Sequence, residues 1–496
     1  MDSDVFPREI HNSIFYFVGI KGTGMAALAE LLLRRGGRIS GSDVAEKFYT
    51  DEVLTNLGIP YFEGFNAAQV PKDAALVVYS AAYSPDTHTE LRMARELGLP
   101  LLSYPEALAA FSRRMPFGGI AGVHGKTTTT ALVGTLVREL GLPGSVLTGS
   151  AAANFDGHST WTGGEDFFIA ETCEYRRNFL VFHPRWIVLT SIEEDHLDYF
   201  KDYADIYSAF LEYCGALEKG GALIYCADDR GAREAAAEIV KKRGDLRRVP
   251  YGIQADGAYR LVSATEKSGA AVFRLAGIDT SFQVHIPGFH TVLNCAAAIA
   301  LVQTISSDLG LSAPAPELLA KGISSFRGCK RRSEILGEAA GILFMDDYAH
   351  HPTALKTTLK GLRSFYPERR VVADFMSHTY SRTQALLDDF AASFSSADIV
   401  ILHKIYASAR ETNTHSVSGR LLFEKTRSLH PRVVYFEEVM DAADYLKKEL
   451  RAGDLFISLG AGDNWQLGKK LFQDFQANET KQMKIKNENK EMKTNT

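Results

Sequence analysis

The segment Gly122-Val123-His124-Gly125-Lys126-Thr127-Thr128-Thr129-Thr130 carries the clearest chemistry in the chain. It follows the strand-like run Gly118-Gly119-Ile120-Ala121 and opens a helical pattern. Glycines let backbone N–H groups approach phosphate oxygens, and a helix start adds positive potential. A lysine there reaches the terminal phosphates, and a threonine hydroxyl can hold Mg²⁺. Gly122, Val123, His124, Gly125, Lys126, Thr127 and Thr128 are therefore candidate ATP-binding residues. Ile120 stands where the strict G-x-x-x-x-G-K-[ST] pattern places its first glycine.

Two acidic segments follow, Ala170-Glu171-Thr172-Cys173-Glu174 and Ser191-Ile192-Glu193-Glu194-Asp195-His196-Leu197-Asp198. Each sits at the carboxyl end of an expected strand, where open α/β sheets bind ligands. Glu171 and His196 are expected to bind metal, since hard oxygen ligands suit Mg²⁺ and an imidazole is compatible with it. For Glu193, Glu194 and Asp195, solvated strand ends account for the residues equally well. The opening Gly19-Ile20-Lys21-Gly22-Thr23-Gly24 resembles a displaced dinucleotide loop, with Asp43 about where a ribose-binding acid would stand. Alone it fits a nicotinamide site, another diphosphate ligand or a tight turn. A chain that uses ATP needs a substrate site, and a diphosphate-bearing substrate suits this loop.

Positioning these groups requires an α/β chain. Strand candidates at 14–18, 76–79, 342–345, 371–373, 399–402, 433–435 and 455–458, with others ending at Ala170 and Thr190, alternate with longer helical patterns. That alternation produces parallel sheets with crossover helices. At roughly 150 residues per domain, 496 residues suggest three domains. They are expected at 1–115, 116–332 and 333–476, followed by a Lys- and Asn-rich tail at 477–496 read as disordered. The fold class is three α/β domains: a Rossmann-like unit, a P-loop ATPase-type sheet and a second Rossmann-like unit.

With 46 % hydrophobic and 23 % charged residues the chain is of globular composition. A net charge of −5 gives no global attraction to nucleic acid or anionic membranes. No stretch suggests a leader or a membrane span, and the five scattered cysteines, without a CxxC, suit a reducing compartment. A cytoplasmic protein is expected.

Six motifs in one order extend the reading. They are Gly-x-x-Gly-Thr-Gly-Met, Gly-x-His-Gly-Lys-Thr-Thr-Thr-Thr, Glu-x-Asp-His-Leu-Asp, Gly-x-His-x-Val-Leu-Asn at 288–294, Asp346-Asp347-Tyr348-Ala349-His350-His351-Pro352-Thr353, and Gly460-Ala461-Gly462-Asp463. Together, over about residues 13–470, they resemble the Mur ligases, and the Asp-Asp-Tyr-x-His-His-Pro segment points to the alanine-adding branch.

The resemblance implies a three-domain ligase that uses ATP and Mg²⁺ to phosphorylate the lactyl carboxylate of UDP-N-acetylmuramate. L-Alanine would then attack the acyl phosphate. It implies a UDP-sugar site at Gly19, Gly22, Thr23, Gly24, Met25, Asp43 and Ser80, and metal ligands Thr127, Glu171 and His196. His290 and Asn294 would contact ATP, Arg327 its phosphates and Asp347 its ribose. Tyr348, His350 and Arg382 would form the amino-acid pocket, with Lys126, His196 and His350 catalytic.

Two segments depart from the family form. Thr379 stands where an arginine is expected after His378, and the stretch from Glu171 to Arg177 is less acidic, leaving Glu174 without an assigned role. A P-loop hydrolase, a nicotinamide-dependent oxidoreductase and an inert nucleotide-binding regulator are the rival classes. Within the family the tripeptide-attaching and folate polyglutamate ligases are alternatives. A monomer or homodimer is expected.

Overall fold

The computed structural model describes residues 5–196, 199–267, 269–407 and 416–494. The first sheet is wholly parallel, in the spatial order Tyr61–Glu63, Arg38–Asp43, Ile14–Val18, Leu76–Tyr79, Leu101–Ser103. Its central strands are runs of apolar residues because packed elements cover both faces. The turn after Ile14–Val18 leads into the helix Thr23–Arg34, which places the first glycine segment at the sheet's carboxyl edge.

The second sheet has seven strands, ordered Arg247–Tyr251, Ala222–Cys226, Trp186–Leu189, Phe117–Ala121, Phe167–Glu171, Gly144–Ala152, His158–Thr162. Only the last pairs antiparallel. Three neighbouring strands, Trp186–Leu189, Phe117–Ala121 and Phe167–Glu171, therefore release their loops at one edge. Ile120 is fully buried within its strand, so the phosphate loop begins only at Gly122.

The helix Phe289–Asp308 packs beside Lys126–Glu139 in the core of this unit. It alone among the described helices is long and apolar enough to cross a membrane, which the sequence reading did not anticipate. Its apolar window is 78 % buried, as befits a core helix. A small antiparallel sheet, Leu261–Lys267, Ala270–Leu275 and Phe282–Val284, was also not anticipated. Ala271, Phe273 and Leu275 face its core while Val272 is exposed, the period-two pattern of a one-sided sheet.

The third large sheet runs Glu334–Ala339, Ile342–Asp347, Asp454–Leu459, Arg370–Phe375, Ile399–Leu402, Val433–Tyr435, with only the first strand antiparallel. The terminal segment departs from expectation: the helix Trp465–Thr494 continues through the stretch read as disordered. Leu467 and Leu471 anchor its first turns in the core, and Lys, Glu, Gln and Met are favourable helix residues that propagate it.

Hydrophobic clusters divide the molecule unevenly. One cluster spans the first two sheets, with Phe111 and Phe168 edge-to-face at 5.0 Å. Across the same seam the buried Glu30 carboxylate accepts from Ser159 N (2.9 Å) and Thr160 Oγ1 (2.8 Å). The third sheet's clusters contain no residue of the other two units. Its links to them include Tyr406 to Glu46 (3.1 Å), Lys469 to Glu52 (2.8 Å) and Arg382 to Asp195 (2.8 Å).

Candidate active site

The phosphate loop is shaped by two glycines with left-handed φ. At Gly122 (φ 132°) a Cβ would lie 2.0 Å from Thr190 Oγ1, and at Gly125 (φ 83°) one would lie 2.7 Å from Asn294 Oδ1. No other residue fits either position. Ser191 braces the loop, its backbone oxygen accepting from Val123 N and its hydroxyl from His124 N, each at 3.1 Å. Thr127 and Thr128 occupy the first turn of the helix Lys126–Glu139.

Lys126 Nζ donates to Gly122 O and lies 2.9 Å from a Glu174 carboxylate oxygen. The other Glu174 oxygen is 3.5 Å from His196 Nε2, and that nitrogen is 3.9 Å from Asp195. Asp195 in turn accepts from Arg382 at 2.8 Å, and Arg382 Nη1 reaches His378 Nδ1 at 3.5 Å. A continuous line of charged groups thus joins the phosphate loop to the third unit. Burial opposes ionisation of the acids, yet Lys126 and His196 hold Glu174 below its ordinary pKa. His196 and Arg382 likewise hold Asp195 well below its own. Burial would lower the His196 pKa, but Glu174 and Asp195 raise it.

Beside this line, Thr127 Oγ1 donates to Glu171 at 3.1 Å, and Glu171 also accepts Gly149 N–H. Burial raises the Glu171 pKa. Two hard oxygen donors at the helix start make a set suited to a divalent cation. His196 points to Glu174 and Asp195 in this structure.

On the adjoining helix, His290 Nδ1 and Asn294 Nδ2 are buried without a protein hydrogen-bond partner. Such groups beside a phosphate loop are available to a nucleotide. The linker arginine that reaches the loop is Arg332, 3.5 Å from Thr127 Oγ1. Arg327 is exposed, and its Nη1 donates to Ser324 O at 2.9 Å. Asp347 holds the following turn: its oxygens accept from Ser333 N (2.6 Å) and Ala349 N (2.8 Å). Neighbouring Asp346 pairs with Arg331 at 3.0 Å, and burial raises its pKa to about 6.

All three units line a cavity of about 610 Å³. Gly19, Gly22, Thr23, Asp43 and Ser80 come from the first, His196 from the second, and Tyr348 and Arg382 from the third. Gly24 and Met25 lie behind it: Gly24 faces Tyr104, and Met25 is in the core. Asp43 accepts the N–H groups of Lys21 (2.7 Å) and Val44 (2.8 Å), so it shapes the glycine loop.

Tyr348 lies between two guanidinium groups, Arg331 at 5.0 Å and Arg332 at 5.2 Å from its ring centroid. His350 Nδ1 is 2.8 Å from Tyr348 O, and a carbonyl can only accept, so this nitrogen carries the proton and Nε2 offers its lone pair. Burial, with Arg382, holds the His350 pKa well below its ordinary value.

Several residues here had no role from sequence. Lys21, with a fully buried ammonium group, donates to Val44 O (2.9 Å) and Glu46 O (3.1 Å) and pairs with Asp51 (3.0 Å). Tyr49, Tyr83 and Tyr175 line the cavity. Glu174 could have been found as a second carboxylate three residues after Glu171. Leu197 and Asp198 lie outside the described residues.

The chain is similar to known proteins along most of its length. Residues 14–115 match the family model described as Mur ligase family, catalytic domain. Residues 120–302 match the Mur ligase middle domain, and 331–462 the Mur ligase, glutamate ligase domain. A UDP-N-acetylmuramate–L-alanine ligase of Treponema pallidum (strain Nichols) is 50 % identical over 477 residues, 96 % of this chain and 99 % of that one. The Borreliella burgdorferi protein of the same name is 40 % identical over 460 residues, 92 % and 97 % of the two chains. The crystal structure of UDP-N-acetylmuramate-alanine ligase from Thermotoga maritima superposes with a TM-score of 0.76 at 24 % identity, covering 94 % of this chain and 100 % of that one.

Proposed function

The chain belongs to the Mur ligase family, and from that premise we infer that it is an ATP-dependent ligase joining L-alanine to the lactyl carboxylate of UDP-N-acetylmuramate in peptidoglycan precursor synthesis. The observation that supports it is the line Lys126, Glu174, His196, Asp195, Arg382, which connects a phosphate loop to a cavity bordered by all three units. We divide the labour accordingly. Residues 1–115 take the sugar nucleotide, 116–332 take ATP, and 333–476 take the amino acid.

A carboxylate is a poor electrophile until one oxygen becomes a good leaving group. The lactyl carboxylate oxygen attacks the γ-phosphorus of ATP and ADP leaves, giving an acyl phosphate. The neutral amine of L-alanine then attacks the acyl carbon, the C–O bond to phosphate breaks, and inorganic phosphate departs with the electron pair. Lys126 neutralises charge on the transferred phosphoryl group, and the helix start at Gly125 contributes its N–H groups. Arg382 grips the α-carboxylate of alanine, and His350 Nε2 accepts the ammonium proton that must leave before attack.

Mg²⁺ would be held by Thr127 and Glu171, with His196 the third member of the set, and would screen the phosphate charge. His290 and Asn294 are assigned to the nucleotide base, on the strength of their buried unpaired nitrogens. Arg332 joins Arg327 as a candidate for the phosphates. The enzyme works in the cytoplasm, where both nucleotides are at hand, as a monomer or homodimer.

The test is ADP release by the purified chain. Release that needs both UDP-N-acetylmuramate and L-alanine, with the amide product identified by mass, is the expected result. Release indifferent to either cosubstrate, or faster with a tripeptide than with L-alanine, overturns the reading.

A further inference from the structure

A second group of potential ligands lies outside the cavity. His124 of the phosphate loop, Glu193 after the strand Trp186–Leu189, and His351 at the start of the helix Pro352–Phe365 each direct one ligand atom to a common point. These three atoms all lie within 4.8 Å of one another. His124 Nε2 is 3.5 Å from a Glu193 oxygen, and the two imidazole centroids are 5.4 Å apart. None of the three residues lines the cavity described above.

Two further observations point to a ligand. Nε2 of His351 is buried with no hydrogen-bond partner among the described residues, and His351 is only 6 % exposed, while His124 Nε2 has only the long 3.5 Å contact to Glu193. Native interiors seldom leave a buried polar atom unpaired, and the His351 nitrogen lies beside one imidazole and one carboxylate. The donor set itself is selective. Two imidazoles with one carboxylate match an open zinc site, whereas Mg²⁺ prefers oxygen ligands and water.

The geometry requires little movement. With metal–ligand bonds of about 2.1 Å, tetrahedral ligand atoms sit about 3.4 Å apart. The widest pair must close by only about 1.4 Å, within reach of side-chain rotation. Ligation through His351 Nε2 leaves the ring proton on Nδ1, so the 3.3 Å bond from Thr353 N is given up.

We propose that His124, Glu193 and His351 form a transition-metal site that takes Zn²⁺, with water in the fourth position, and that the bound ion clasps the third unit to the phosphate loop. The site is separate from the oxygen donors Thr127 and Glu171, and the proposal does not depend on the ligase reading.

Calorimetric titration of the full chain with ZnCl₂, in excess MgCl₂, tests it. One equivalent should bind, with Kd at least tenfold weaker in both His351→Gln and Glu193→Gln and unchanged in His196→Ala and Cys173→Ser. Co²⁺ should give the visible absorption of a four-coordinate ion, lost in the same two variants. Circular dichroism checks that the variants fold. A measurement on the unaltered chain needs no variant: Zn²⁺ should protect His124 and His351 from diethyl pyrocarbonate, read by peptide mass. Absence of binding, full affinity in His351→Gln, loss in His196→Ala, or no protection of the two histidines overturns the proposal.

Discussion

Glu174 holds Lys126, its carboxylate 2.9 Å from the ammonium nitrogen, so the phosphate-loop lysine rests on an anion supplied by the protein itself. The carboxylate occupies the place of charge that a terminal phosphate would take. On the proposed function, nucleotide binding exchanges one anion for another at Lys126. Glu174→Gln should lower the melting temperature of the ligand-free chain and enlarge the upward shift produced by ATP, because phosphate then restores a missing partner. The charged hydrogen bond at stake is worth roughly 1.5–3 kcal/mol. Scanning fluorimetry with and without ATP reads both effects, and an ATP shift no larger than that of the unaltered chain refutes the exchange.

Arg382 stands at the far end of the same line. Replacing it by alanine removes the grip proposed for the amino-acid carboxylate and leaves Asp195 without its guanidinium. The KM for L-alanine should rise about 10- to 100-fold, the value of one charge-assisted contact. The KM for ATP should stay within about twofold. Initial rates with each substrate varied in turn separate the two, and equal increases in both would show that Arg382 serves only to hold the units together.

His196 gives a pH signature. Its partners raise the folded pKa above the ordinary value of 6.5, so its contribution to stability is complete below about pH 6.5 and fades as pH rises through the raised value. His196→Gln should therefore lower the melting temperature most near about pH 6, with the difference shrinking toward about pH 9. A difference that grew with pH would mean that the ring is neutral in the folded chain.

Lys21 offers a test remote from ATP. Its ammonium group fixes the segment from Val44 to Asp51 against the glycine loop. Lys21→Met keeps much of the volume and leaves Asp51 and two carbonyls without their donor, a loss of about 2–3 kcal/mol. The KM for UDP-N-acetylmuramate should rise at least tenfold while that for ATP changes little, as read by coupled ADP assay. Unchanged sugar-nucleotide kinetics would assign Lys21 to stability alone.

The parallel sheets and the phosphate loop were legible because their signals are local. Buried parallel strands read as apolar runs, and Gly122 to Thr128 carries its chemistry within one turn. What could not be read was set by distant neighbours. Glu174 is defined by Lys126 and His196, and Asp195 by an arginine 187 positions later. Arg332 and Arg327 look alike in sequence, and only the path of the linker sends the first to Thr127. Asp347 gave no sign in sequence that its carboxylate also holds the turn at Ser333. The final helix defeated a compositional argument: polarity forbids a packed core, not a helix extended from an anchored one.

Among the described residues the third unit shares no hydrophobic cluster with the other two, while those two share one. The ion pairs that tie it to them include the exposed Lys469–Glu52 and the buried Arg382–Asp195. Ionic strength, which screens exposed charges beyond about 10 Å at 0.1 M, therefore weakens the first of these more than the second. Salt thus acts on the surface link between the units and leaves intact the link that lines the cavity.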